Sequence, residues 1–207
     1  MPNPWLDIPL EDYEGHMASA GVRQNEALSD LFAEALAFRR PASVAVLGVA
    51  GGNGLDRIDN HVTERVVGLD LNPLYLDAVR VRYCHLRGLE LHCIDLAEQT
   101  AKLQPLQLVH AALVFEHAGV GRCLESAVAL VAEDGALSVV LQLPSSIESG
   151  VSNGGYSSIQ KLKSHFSFVD PVSFRKSLED RAFALIHETR RSLAAGKAFW
   201  MGIFVRV

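Results

Sequence analysis

The chain is predicted to be α/β, a doubly wound, mostly parallel seven-stranded sheet with helices on both faces and a C-terminal antiparallel β-hairpin. Three observations predict it. Apolar runs of strand length alternate with segments of helical period through the middle of the chain. The first two strand-like runs flank a glycine-rich turn, Val49-Ala50-Gly51-Gly52-Asn53-Gly54. The last two are joined directly by the short turn Ala195-Gly196-Lys197, with no helix between them.

Each element follows from its own residues. Residues 1–20 read as irregular, broken by Pro2, Pro4, Pro9 and Gly15. Leu28, Leu31, Phe32, Ala35 and Leu36 recur at helical spacing, and Pro41 ends that helix. Val44–Val49 is apolar on both faces, as a central parallel strand requires. A helix is expected after Gly54, carrying Leu55 and Ile58. Val66–Asp70 is the second strand. Asn72 then caps a helix with Pro73 at its first position and Leu76, Val79, Tyr83 and Leu86 inward. Leu89–Asp95 and Leu106–Phe115 are the third and fourth strands. A helix with Leu124, Ala127, Val128 and Val131 inward precedes the fifth, Ala136–Leu143. A helix near Pro171–Arg181 leads to the hairpin of Ala184–Leu193 and Ala198–Val207.

Composition narrows the function. The 207 residues suit a single domain with a full core, spanning 1–207. The formal net charge of -5 opposes a nucleic-acid partner, which needs clustered Lys and Arg. No apolar run reaches membrane-spanning length, so no membrane association is expected. The N-terminus lacks the features of a secretory signal, and the three cysteines have neither disulfide-frame nor metal-ligand spacing. A cytoplasmic protein with buried free thiols and no metal is the expectation. Oligomeric state has no signature here.

In an open parallel sheet, ligands bind beyond the carboxyl ends of the strands, where strand order reverses. The glycine-rich turn lies there. Its glycines permit positive φ and close backbone approach, and the N–H groups of a following helix could hold an anion. Asp70 ends the next strand about 20 residues on, the spacing of a carboxylate that accepts both ribose hydroxyls. A nicotinamide or flavin fingerprint needs a third glycine that is missing from Gly52 onward.

This block resembles the first motif of class I S-adenosylmethionine-dependent methyltransferases of the small-molecule type. Their loop reads acidic–x–Gly–x–Gly–x–Gly, with an acidic residue ending the second strand. Ala50 stands for the first glycine, while Gly52 and Gly54 hold the others. Ile94-Asp95-Leu96 is similar to the family's adenine-facing motif, and Val114-Phe115-Glu116-His117 to the segment after its fourth strand. The terminal hairpin resembles the reversed last strand of this Rossmann-like methyltransferase fold. One departure stands out: Gly48 occupies the position of the usual acid.

The resemblance implies S-adenosylmethionine as cofactor and a small-molecule methyl acceptor as partner. It places Gly48, Ala50, Gly52, Asn53 and Gly54 along the methionine and ribose, and Asp70 on the ribose hydroxyls. It sets Leu71 against adenine, Asp95 and Leu96 at the adenine edge, and Phe115 and Glu116 near the sulfonium. Residues 1–40, with Tyr13, Glu14 and His16, form a candidate lid.

Methyl transfer from a sulfonium is an in-line displacement that needs mainly alignment and a dry pocket. A base is needed only where the acceptor must lose a proton. His117 is the candidate base, or else a wall histidine, and Glu116 is a candidate orienting carboxylate. Gln142, Tyr156, Tyr13 and His16 are candidate acceptor contacts, the first two flanking the serine- and glycine-rich loop 144–156. His110 reads as a core histidine. Two alternatives stand beside methyl transfer: a non-catalytic S-adenosylmethionine-binding or regulatory module, which Gly48 favours, and a nucleotide-dependent oxidoreductase.

Overall fold

The computed structural model describes residues 3–19, 22–145, 150–151, 155–193 and 196–207. Seven strands form one sheet: β1 (Ser43–Leu47), β2 (Arg65–Asp70), β3 (Leu89–Cys93), β4 (Leu106–Ala112), β5 (Val131–Leu143), β6 (Phe183–Ser192) and β7 (Ala198–Arg206). Their order across the sheet is β3-β2-β1-β4-β5-β7-β6. The first five run parallel, and β7 lies antiparallel between β5 and β6. The reversal of order falls between β1 and β4.

Among the described residues six α-helices accompany the sheet: α1 (Leu10–Ala18), α2 (Gln24–Arg39), α3 (Pro73–Arg82), α4 (Phe115–Ala118), α5 (Gly121–Leu130) and α6 (Pro171–Glu179). Alternation along the strands divides the core in two. On one face Val44, Val46, Leu108, Val140 and Met201 pack against Leu31 and Phe32 of α2 and Leu76 and Val79 of α3. On the other, Leu47, Leu69, Val109, Val139 and Phe204 meet Leu124 and Ala127 of α5 and Phe174 and Leu178 of α6. All of these side chains are buried, and their apolar contact stabilises the sandwich by roughly 25 cal/mol per Å² removed from water. Among the described residues no helix is long and apolar enough to cross a membrane.

Several expectations are corrected. The N-terminal segment is not irregular: Pro4–Asp7 is a 3-10 helix, capped by the Asn3 side chain, and α1 follows it. No helix follows Gly54; only the 3-10 turn Leu55–Arg57 does. Helix α2 covers that face instead. A Cβ at Gly54 would lie 3.0 Å from the Phe32 ring of α2, so this glycine permits close packing there. Strand β4 stops at Ala112, and Phe115 opens α4. The helix before β5 ends at Leu130, and Val131 already pairs with Leu106, with a register shift before Leu108. A 3-10 helix, Ile159–His165, occupies part of the stretch after the serine- and glycine-rich loop. Within that loop, residues 146–149 and 152–154 lie outside the described residues, as does Ala195 of the hairpin turn.

Candidate active site

A pocket of about 1040 Å³, open mouth included, runs along the carboxyl edge of the sheet. The strands contribute in sheet order. Asp95 and Leu96 follow β3, Asp70 and Leu71 end β2, and Gly48 and Ala50 follow β1. Val114 and His117 follow β4, Gln142 closes β5, and Lys197 precedes β7. The parallel topology thus gathers residues far apart in sequence onto one wall.

Asp70 is the best-anchored acid of this wall. Its Oδ2 accepts the Ala50 N–H at 2.8 Å and its Oδ1 accepts the Asn72 N–H at 2.9 Å. Burial pushes its pKa up, opposed by these backbone donors. Each oxygen keeps a second lone pair for a ligand hydroxyl. The turn it holds is unusual: Gly48 has φ +67°, Ala50 +45° and Leu113, across the pocket, +56°. Alanine and leucine in the left-handed region carry strain of the kind that persists where surrounding structure enforces it.

Gly48 explains its own departure from the acidic pattern. Its φ is positive, and a Cβ there would press on Val114 Cγ2 at 3.2 Å. The loop is fastened from outside instead. Arg82 of α3 donates to the Gly51 carbonyl at 3.2 Å and pairs with Glu14 of α1, one of the two contacts measuring 3.0 Å.

The N-terminal segment closes the pocket. The Asn3 side chain donates to Asp95 Oδ2 at 3.3 Å, and Asn72, while capping α3, donates its side chain to the Trp5 carbonyl at 2.9 Å. Trp5 meets Tyr13 and His117 edge-on, with centroids 5.5 and 4.9 Å away, and Tyr13 stacks on Tyr75. The Tyr75 hydroxyl donates to the Ile8 carbonyl at 2.9 Å. Burial, with Asp70 nearby, raises the phenol pKa of both tyrosines, so both stay neutral. Ile8 joins Val151, Ile159 and Leu162 in a small apolar cluster that ties this cover to the 3-10 helix.

Two imidazoles line the pocket, His16 from α1 and His117 from α4, and their Nδ1 atoms are buried with no hydrogen-bond partner among the described residues. Burial lowers both pKa values, His117 to about 4 with help from His165, and His16 with help from Lys197. Both are therefore neutral near pH 7. At the same end the Gln24 side chain donates to Gln142 Oε1 at 3.3 Å, and Gln142 and Lys197 donate to the Gly150 carbonyl.

The pocket brings together Gly48, Ala50, Asp70, Leu71, Asp95, Leu96, His117, Gln142, Tyr13 and His16. It does not bring in Gly52, Asn53, Gly54, Phe115, Glu116 or Tyr156. Gly52 backs onto Tyr83, Gly54 packs on α2, and the Asn53 amide donates outward to the Asn25 carbonyl at 2.9 Å. Phe115 turns into the core beside Phe174, because β4 stops at Ala112 and Phe115 opens α4. Glu116 lies behind the wall, its Oε1 accepting the Gln142 N–H at 2.7 Å. Tyr156 packs on the cover, against Gly15. His110 is the expected core histidine, with Nδ1 3.1 Å from Ser138 Oγ. Sequence reasoning missed Asn3, Gln24, Tyr75 and Lys197. Of these only Tyr75 had a local signal, as an aromatic in the first turn of the helix capped beside Asp70. Among the described residues no cluster of His, Cys, Asp and Glu could hold a metal ion.

No family model and no curated protein matches the chain. Solved structures do match its fold. The N-methyltransferase NodS from Bradyrhizobium japonicum WM9, in complex with S-adenosyl-L-homocysteine, superposes with a TM-score of 0.65 at 12% identity, covering 87% of this chain and 86% of that one. Magnesium protoporphyrin IX methyltransferase from Synechocystis PCC 6803, also with S-adenosylhomocysteine, gives 0.65 at 13% identity over 90% and 85%. Coclaurine N-methyltransferase, bound to N-methylheliamine and S-adenosylhomocysteine, gives 0.71 at 11% identity over 100% and 83%. The [4+2]-cyclase SpnF matches at 0.65 and 10% identity, so this architecture also serves other chemistry. Strand order, the reversed β7 and these superpositions together establish that the chain has the class I S-adenosylmethionine-dependent methyltransferase fold.

Proposed function

We propose that the chain binds S-adenosylmethionine in this pocket and transfers its methyl group to a small-molecule acceptor. The observation that carries the reading is Asp70, a buried carboxylate held by the Ala50 and Asn72 N–H groups with lone pairs left for two ribose hydroxyls. The residues present fit the group at its other parts. Leu71, Ile94 and Leu96 offer apolar faces to adenine, with Asp95 at its edge. The strained turn Gly48–Ala50 bares main chain to the methionine portion. Asp70 and Asp95 favour the positive cofactor over its neutral product. Bound in this way, the cofactor supplies an activated methyl group, and the chain supplies alignment and exclusion of water by Trp5 and Tyr13.

His117 is the wall residue beside this position. With its pKa near 4 it is a weak proton acceptor at neutral pH, so its part is to shape the wall. Glu116 acts on the pocket only through the Gln142 main chain.

A second reading, a cofactor-binding module without turnover, draws on Gly48 and on the missing crossover helix. Calorimetry with S-adenosylmethionine, S-adenosylhomocysteine and NAD tests the cofactor: micromolar binding of the first two and none of NAD is expected, and NAD binding alone would overturn the proposal. Release of S-adenosylhomocysteine with an acceptor library separates enzyme from module.

A further inference from the structure

Strand β6 ends the sheet on one side, and among the described residues no strand lies along its outer edge. It is 10 residues long, against 5 for β3 at the other side. The ladder with β7 decides which of its residues face outward. The Leu193 N–H donates to the Lys197 carbonyl, and the register sets Arg191 opposite Phe199, Thr189 opposite Met201 and His187 opposite Ile203. Hydrogen-bonded pairs alternate along an antiparallel ladder, so Arg191 and Thr189 bond inward to β7. The main-chain groups of Glu188, Arg190 and Ser192 therefore point away from the sheet. Among the described residues they have no hydrogen-bond partner.

Long free edges are ordinarily blunted by a bulge or by charge. The bulge here falls between Leu185 and His187, and from His187 to Ser192 the register is unbroken. Helix α6 shares an apolar cluster with Phe183 and Leu185, at the far end of the strand, and leaves the stretch from His187 onward clear. The charges are Glu188 and Arg190, both exposed and, two residues apart, on one face. Trp200 Nε1 donates to Glu188 Oε2 at 3.2 Å and holds that carboxylate on the face. The Arg190 guanidinium has no hydrogen bond or ion pair among the described residues.

We propose that this edge is an interface with a second copy of the chain: β6 pairs antiparallel with its counterpart about a two-fold axis at Thr189, and the two sheets become one. Outward-facing residues must pair with outward-facing residues, so the axis has to pass through a residue position. An axis at Glu188 sets that carboxylate against itself, and one at Arg190 sets two guanidinium groups together. Only the axis at Thr189 sets Glu188 of each copy against Arg190 of the other, with threonine opposite threonine between them, which are favourable cross-strand pairs. The charges that repel a foreign strand thus select this one. On the other face His187 falls opposite Arg191 of the second copy. Glu34 lies between the same two residue types within each chain, 2.8 Å from His187 Nε2 and 3.6 Å from Arg191 Nη2, and supplies the carboxylate that this contact needs. The contact is isologous and closes as a dimer. Because the axis reverses strand direction, the two pockets open at opposite ends of the joined strands and neither takes a residue from the other chain. The proposal is therefore independent of the methyl-transfer reading.

Sedimentation equilibrium of the full chain between about 1 and 500 µM tests it, and a dimer of micromolar affinity is expected from a strand-edge contact of this small size. Arg190→Glu and Glu188→Arg each turn two attractive pairs into two repulsive ones, and each should weaken the dimer at least about ten-fold. The double variant Glu188→Arg with Arg190→Glu restores opposite charges and should recover most of that loss. Thr189→Cys places two Cα atoms about 4.5 Å apart across the axis, within disulfide reach, so mild oxidation should cross-link it. Wild type, whose exposed Cys84 and Cys93 lie on the β3 side, should not cross-link. A monomer at every concentration would overturn the interface. So would a dimer that the single reversals leave intact, since the copies would then meet elsewhere. Loss in the single variants without recovery in the double, or no cross-link through Thr189→Cys, would overturn the register.

Discussion

A single carboxylate organises the end of the pocket proposed for the cofactor, and its two oxygens face two different duties. Each holds a backbone N–H of a neighbouring turn, and each retains capacity for a ligand. Asp70→Ala should therefore weaken S-adenosylmethionine binding by at least about ten-fold, through the lost charge-assisted hydrogen bonds. It should also lower stability by about 1–3 kcal/mol, because the Ala50 N–H is left without an acceptor. Calorimetry reads the first and denaturant unfolding the second. Unchanged affinity would remove Asp70 from the ribose. Asp70 was legible in the sequence because its signal is positional: a carboxylate ending a strand about 20 residues beyond a glycine turn. The glycines were legible only in part. Spacing located the turn, but which glycines bare main chain to the pocket depends on packing from α2 and α3. Those neighbours claim Gly52 and Gly54 and leave Gly48 and Ala50 on the pocket lining.

The elements that differ from expectation are those whose periodicity is broken or whose partners are remote. The segment after Gly54 has Leu55, Ile58 and Val62 at helical spacing, but Asp59 breaks it with a turn: its side chain accepts the His61 N–H and its carbonyl accepts the N–H groups of Val62 and Thr63. The cover was hidden for another reason: its contacts are with Asn72, Asp95 and Tyr75, distant in sequence. Its two fastenings differ in kind. The Glu14–Arg82 pair is more than a third exposed, so it contributes less than about 1 kcal/mol and is weakened by salt. Trp5 is wedged between Tyr13 and His117, with its carbonyl anchored by Asn72. Trp5→Ala should therefore speed cofactor dissociation by about ten-fold or more, and Arg82→Met by less than about five-fold. Stopped-flow displacement measures both. Equal effects would mean that the ion pair holds the cover shut as much as the aromatic wedge does.

At the scale of the whole molecule, buried titratable groups tie stability to pH in opposite directions. Burial lowers the His110 pKa to about 3 and that of His117 to about 4. Both rings are neutral in the fold and charge on unfolding in acid. Their contribution is full above about pH 6.5 and is lost as pH falls toward the folded values. Glu116 runs the other way. Burial raises its carboxyl from 4.5 to about 7, the Gln142 N–H opposing only in part, and Oε2 has no hydrogen-bond partner among the described residues. The fold holds this proton more tightly than the unfolded chain does. Its contribution is thus full below about pH 4.5 and is lost as pH rises through 7, up to about 3 kcal/mol from the size of the shift. Stability should accordingly peak near neutrality, where the histidine contributions lost on the acid side meet the Glu116 contribution lost on the alkaline side. Glu116→Gln keeps an oxygen for the Gln142 N–H but has no proton to lose. Measured by denaturant unfolding, the difference between variant and wild type should therefore move in the variant's favour between pH 5 and pH 8. The His110 and His117 contributions cancel in that difference, since both proteins retain them. A difference constant across this range would mean that Glu116 is already ionised in the fold, with a cation or a water at Oε2.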